Sequence, residues 1–148
     1  MKPEFPIRLF ADDAAVRRVG EGLLDRSLPR AEWTHEAHLA ACLYLLVERP
    51  EIDLPREMPE IIRSYNLAVG GVNDDTQGYH ETLTQLYIRG VAAFLAEHPV
   101  GGLVERVNRL LSGPIGARDW PLGFYTRECL FSVEARRGWV EPDLEPMI

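Results

Sequence analysis

With 148 residues, 46% of them hydrophobic and 26% charged, the chain has an ordinary globular balance and the length of one domain spanning residues 1–148. Sixteen basic residues against 23 acidic ones leave a net charge of −7. That excludes a general binder of nucleic acid or of acidic membranes, because no basic patch is available to neutralise phosphates.

Only two cysteines occur. A disulfide framework is excluded, and a reducing cytoplasm is the expected compartment. The start, Met1-Lys2-Pro3-Glu4-Phe5-Pro6, is too polar and proline-rich for a signal peptide. The longest apolar run, Leu39 to Val47, is about half of what a membrane span needs. A soluble chain with no membrane partner is expected.

Asp12-Asp13 can cap a first helix from about Asp13 to Arg26, with Val16, Val19, Leu23 and Leu24 recurring at helical spacing. Gly20 and Gly22 each cost such a helix about 1 kcal/mol relative to alanine, and close approach of a second helix at Gly20 would account for that glycine. Leu28-Pro29-Arg30 breaks the segment. Thr34 is a good N-cap for a second helix from His35 to Glu48, which is apolar almost all round and so belongs at the centre. Arg49-Pro50 ends it.

A third helix is expected from about Glu57, where Pro59 falls in the tolerant first turn. Its apolar face carries Met58, Ile61, Ile62, Tyr65, Ala68 and Val69, with Asn66 at the edge. Gly70-Gly71 stops it. A fourth helix, about Tyr79 to His98, carries an apolar arc of Leu83, Leu86, Tyr87, Val91, Phe94 and Leu95, opposite Thr82, Gln85 and Arg89. His80 falls within that arc and points inward.

A fifth helix is expected from about Gly102 to Leu111, ending at Gly113-Pro114, and a last one from about Thr126 to Arg137. The proline-rich tail beyond it would be laid across the bundle by Trp139, Val140 and Leu144. No strand pattern occurs. The fold class is therefore all-α, a single-domain bundle of five or six helices with an extended C-terminal tail and the second helix most buried.

Short connections favour antiparallel neighbours, so helices two and four begin at the same end of the bundle, where helix three finishes. His35 and His38 share a face of helix two, and Cys42 continues it one turn later. His35, His38 and His80 therefore come within reach of one another, beneath the Gly70–Gly78 loop. Three imidazoles at one point form the ligand set of an open site for a divalent transition metal such as zinc. Glu36, Glu81, Asp74 and Asp75 could supply a fourth ligand or a general base. Helix N-termini aimed at the same place disfavour protonated histidine and favour anions.

Two function classes follow. One is a metal-dependent small-molecule enzyme, hydrolytic in kind, with His35, His38 and His80 on the metal and Glu36 or Glu81 handling protons. The other is a non-catalytic helical domain that binds a small anionic ligand, or a protein partner, through the same histidines with Tyr65, Asn66 and Asn73, and with no cofactor. Histidines at helix starts are also often core residues bonded to backbone carbonyls, and His-x-x-His is far less specific than the His-Glu-x-x-His motif, which does not occur. Asn73-Asp74 also suits an ordinary turn. No serine lies in a nucleophile elbow, and Cys42 is expected to be inert packing. Self-association into a homo-oligomer is left open.

Glu32-Trp33-Thr34-His35-Glu36-Ala37-His38-Leu39 and Gly78-Tyr79-His80-Glu81-Thr82-Leu83-Thr84, together with the Leu130–Arg136 and Trp139–Leu144 stretches, resemble a set of short, functionally uncharacterised bacterial helical proteins. The resemblance runs from about Arg30 onwards. It supports the choice of segments and implies no particular reaction.

Overall fold

The computed structural model describes residues 6–146, so most of the Met1–Pro6 stretch read against a signal peptide lies outside it. Seven α-helices form one bundle: α1 (Asp13–Asp25), α2 (His35–Glu48), α3 (Leu54–Ala68), α4 (Glu81–Glu97), α5 (Leu103–Ser112), α6 (Arg127–Leu130) and α7 (Val133–Arg137). No strand occurs among the described residues, and none of their helices is long and apolar enough to cross a membrane.

The helix starts follow from capping. Asp12 Oδ1 accepts the Ala15 N–H at 2.8 Å, and Thr34 Oγ1 accepts the Ala37 N–H at 3.1 Å. Helix α2 is buried from Ala37 to Leu45 except at His38, as its unbroken apolar run requires. It packs on α1, α4 and α5, while α3 packs on α1 and α4.

The approach expected at Gly20 is present. A methyl group added there would lie 2.1 Å from Tyr44 Cδ2 on α2, far inside contact distance. The Tyr44 hydroxyl is held by Glu21 at 2.6 Å, so the ring has little freedom to yield. Gly20→Ala should therefore destabilise the fold by about 1–3 kcal/mol in urea unfolding, even though alanine is the better helix former. A variant more stable than the parent would show that the ring moves aside freely.

Helix α3 begins three residues before the expected Glu57, and Pro59 lies inside it. Proline has no N–H to offer the carbonyl four residues back, here that of Pro55. Gln85 Nε2 of α4 donates to that carbonyl instead, at 2.8 Å. A contact from a distant helix thus replaces the missing rung, which local sequence does not reveal.

The expected single helix from Thr126 to Arg137 is two short ones. Phe131 ends α6, and Ser132 caps α7 by accepting the Ala135 N–H at 3.1 Å. The serine hydroxyl offers the chain a fresh helix start in place of continuation. The tail crosses the bundle as expected, but by a different set of contacts. Thr82 Oγ1, fully buried on the face thought opposite to the core, donates to Gly138 O (2.9 Å) and accepts the Val140 N–H (3.2 Å). Arg89 lies 4.0 Å over the Trp139 ring. Leu144 contributes its N–H, to Phe124 O at 2.9 Å, while its side chain stays exposed.

Candidate functional site

Helices α2 and α3 make no close packing of their own, and the space between them, roofed by α4 and the Gly70–Gly78 loop, is a cavity of about 540 Å³. His35, His38, Leu39 and Cys42 line it from α2, Met58, Ile62, Tyr65 and Asn66 from α3 with Val69 just past its end, and Leu83, Thr84, Tyr87 and Ile88 from α4. Gly71, Val72, Gln77, Gly78, Tyr79 and His80 close it from the loop side, and Arg30 with Trp33 stands where the chain enters α2. All three predicted histidines thus share one cavity, at the common end of α2 and α4.

Their ring nitrogens are committed unequally. His80 caps α4: its Nδ1 accepts the Leu83 N–H at 3.1 Å, so the proton sits on Nε2, which donates to Leu130 O at 2.8 Å. Both nitrogens are spent, and the ring is only 7% exposed. Burial lowers its pKa, with the nearby Arg136 cation adding to the effect against the two backbone bonds. His35 Nε2–H donates to Gly116 O at 2.9 Å, fixing the turn that follows α5.

His38 Nδ1–H donates to Thr34 O at 2.6 Å, and the ring stacks on Trp33 with centroids 3.8 Å apart. That leaves Nε2 as a lone pair with no partner among the described residues. His38 lines the cavity while remaining exposed at the surface, and partial loss of hydration around its ring pushes its pKa down, with the His35 ring adding to the shift. At neutral pH His38 is an acceptor.

Of the six imidazole nitrogens, then, only His35 Nδ1 and His38 Nε2 lack a hydrogen bond among the described residues. No group of three or more His, Cys, Asp or Glu side chains among the described residues is placed to hold a metal ion. Serving as a ligand would require His80 to give up either its cap or its bond to Leu130.

The two candidate catalytic carboxylates do not line the cavity. Glu36, 2% exposed, pairs with Arg8: Arg8 Nη2 donates to Oε1 at 3.1 Å and the Arg8 N–H to Oε2 at 3.3 Å. Burial raises its pKa, but the bonds from backbone N–H groups and the Arg8 guanidinium outweigh this and hold it below the ordinary value. Its task is to tie the segment before α1 onto α2. Glu81 accepts a very short hydrogen bond from the Tyr79 hydroxyl, and Arg63 covers that same ring at 4.5 Å. Glu81 therefore orients a wall of the cavity from outside.

Among the expected ligand-binding residues, Tyr65 lines the cavity with its ring while its hydroxyl donates to Leu28 O at 2.9 Å. Asn66 lines it too, donating through Nδ2 to Asn73 Oδ1 at 2.9 Å, with no partner for its side-chain Oδ1 among the described residues. Asn73 does not reach the cavity. It staples the loop, accepting the Tyr79 N–H at 3.0 Å and donating to Arg63 O at 3.1 Å. Asp74 accepts the N–H groups of Thr76 and Gln77 inside the loop, and Asp75 pairs with Arg137.

Arg30, Trp33, Tyr87 and Cys42 are among the lining residues that had no role in the sequence-based site. Tyr87 was placed on an apolar arc, yet its hydroxyl has no protein partner and burial pushes its pKa up to about 12. Burial likewise pushes the Cys42 thiol up to about 12, which keeps it inert at neutral pH, as its apolar setting suggested. Trp33 carried a signal that spacing alone misses, since an aromatic residue two before a helix start falls outside any helical face. Comparison with protein-family models, with curated proteins and with solved structures gives no match, so the site rests on its own geometry.

Proposed function

We propose that the protein is a small-molecule-binding helical domain whose ligand occupies the cavity between α2, α3 and α4. One observation carries this reading. A cavity of about 540 Å³ opens between α2, α3 and α4, apolar in most of its lining, and His38 lines it with its Nε2 unpartnered among the described residues. That volume falls within the ordinary range of ligand sites, about 300–1,000 Å³, and a few fixed polar groups on an apolar wall are what such sites use for orientation. The alternative, a metal-dependent hydrolase, asks His80 to abandon the bonds that cap α4. It also leaves Glu36 and Glu81 away from the reacting space.

The neutral fluorophore N-phenyl-1-naphthylamine tests the cavity directly. Its emission should rise saturably with the wild-type chain. Leu83→Trp, which fills the cavity from α4, should weaken binding at least tenfold while the unfolding midpoint stays close to wild type. No saturable signal, or equal affinity in the two chains, would overturn the proposal. So would one zinc ion per chain in tag-free protein that is lost in His80→Asn, which would restore the hydrolase.

A further inference from the structure

Resting on the cavity as a ligand site, we propose that its ligand is an amphipathic organic anion that also carries one hydroxyl or N–H. Its anionic group would lie on Arg30, its apolar body between α2, α3 and α4, and its donor on His38 Nε2.

The charge pattern is the first support. The chain holds 23 acidic residues, yet among the described residues no aspartate or glutamate lines the cavity, and Arg30 is the only lysine or arginine that does. Arg30 belongs to the short 3-10 turn Arg30–Glu32, and the acid in that turn, Glu32, is engaged by Arg18 through two bonds of 3.0 and 2.9 Å. Among the described residues no carboxylate lies within ion-pairing distance of Arg30 itself. In a net-negative protein, a guanidinium on the edge of an otherwise uncharged cavity selects for an anion and repels a cation.

The second support is the fixed proton of His38. A carbonyl can only accept, so the 2.6 Å contact with Thr34 O places the hydrogen on Nδ1, and stacking on Trp33 resists a ring flip. Nε2 is therefore an acceptor facing the cavity. With its hydrogen held on Nδ1 the neutral ring cannot donate from Nε2 to a carboxylate, and its lowered pKa favours that neutral ring. The two polar groups thus sort the ligand's own: the anion goes to Arg30 and the donor to His38. The space between them is closed by Leu39, Met58, Ile62 and Leu83, which ask for an apolar body.

A matched pair of probes separates these assignments. 1-Anilinonaphthalene-8-sulfonate has an apolar body, one N–H and one sulfonate, and N-phenyl-1-naphthylamine is the same molecule without the sulfonate. With the full chain at low salt, the sulfonate should bind at least tenfold tighter than the neutral probe. Arg30→Gln should remove that margin, lowering sulfonate affinity about tenfold and neutral-probe affinity less than twofold, and Arg30→Lys should restore most of it. Arg30 is exposed and unpaired, so its replacement leaves the fold intact. His38→Phe keeps the stack on Trp33 and should weaken both probes together, because both carry the N–H.

Equal affinity of the two probes in the wild type, or a margin that survives Arg30→Gln, would overturn the anion assignment while leaving the cavity reading in place. Unchanged affinities in His38→Phe would overturn the donor assignment. Failure of both probes to bind would overturn this inference and the cavity reading together.

Discussion

Gly78→Ala is expected to unseat the loop over the cavity, lowering stability by about 2–3 kcal/mol and abolishing probe binding. Gly78 has φ +83°, a region that L-residues enter at a cost of about 1–2 kcal/mol. A methyl group there would also lie 2.1 Å from Val72 O, 2.7 Å from Asn73 Oδ1 and 2.8 Å from Asn73 Cα. Two of those atoms are backbone, which no rotamer change can clear. Relief requires the 72–73 segment to move, and Asn73 is what holds the loop to Asn66, Arg63 and Tyr79. Movement there displaces Val72, Gln77 and Tyr79, all lining residues.

Gly70→Ala is the matched control. Gly70 has φ +86°, but nothing lies within 4 Å of its added methyl group. It should therefore show the conformational cost alone, about 1 kcal/mol, with probe affinity retained. Urea unfolding and a fluorescence titration on both variants decide the matter. Equal losses would mean that the loop accommodates the methyl group and that Gly78 does not position the lid.

What was legible in the sequence was whatever depends on period and capping. Helix α2 announces itself by an apolar run with a threonine cap, and the structure buries that run as a central helix must be buried. The meeting of His35, His38 and His80 followed from spacing plus antiparallel packing. What those histidines do once they meet was not legible. The partner of His80 Nε2 is a carbonyl 50 residues later, at the end of α6, and that of His35 is one 81 residues later, in the 3-10 turn after α5, and only tertiary packing sets the position of either.

Helix α3 fails in the same way. Pro59 is a start signal locally and an interior residue in the fold, because Gln85 of a separate helix takes up the Pro55 carbonyl. Arg30 was invisible for another reason. An unpaired arginine cannot be told from a paired one until the acids around it have been placed, and here Arg18 claims Glu32 first. Glu36 reverses that case: a carboxylate at a helix start suggested chemistry, and its pairing with Arg8 makes it a structural tie.

His80 is where a capping role and a reactive role part most sharply. His80→Phe removes the acceptor for the Leu83 N–H and the donor to Leu130 O together. Loss of a cap costs about 0.5–2 kcal/mol, and a buried carbonyl left without a partner about 1–3 kcal/mol, so a total of about 2–4 kcal/mol is expected. Asparagine is a strong N-cap, so His80→Asn should recover the cap term and lose only the Leu130 bond. The pH dependence then identifies the ring. Burial lowers the pKa of His80 in the folded chain, and lowers that of His38 from 6.5 to about 4. Between those limits the unfolded chain binds protons that the folded chain does not, so stability rises with pH across the interval and falls as the solution is acidified below about 6.5. Protonation also destroys the Nδ1 acceptor that caps α4. The thermal midpoint of the wild type should therefore drop more steeply than that of His80→Asn between about pH 7 and pH 5, with His38 among the groups that keep a slope in the variant. Carboxylates such as Glu36 titrate in both chains and cancel in the difference. Parallel curves for the two proteins would show that the capping imidazole is not held neutral by the fold, and the assignment of its proton to Nε2 would fall with it.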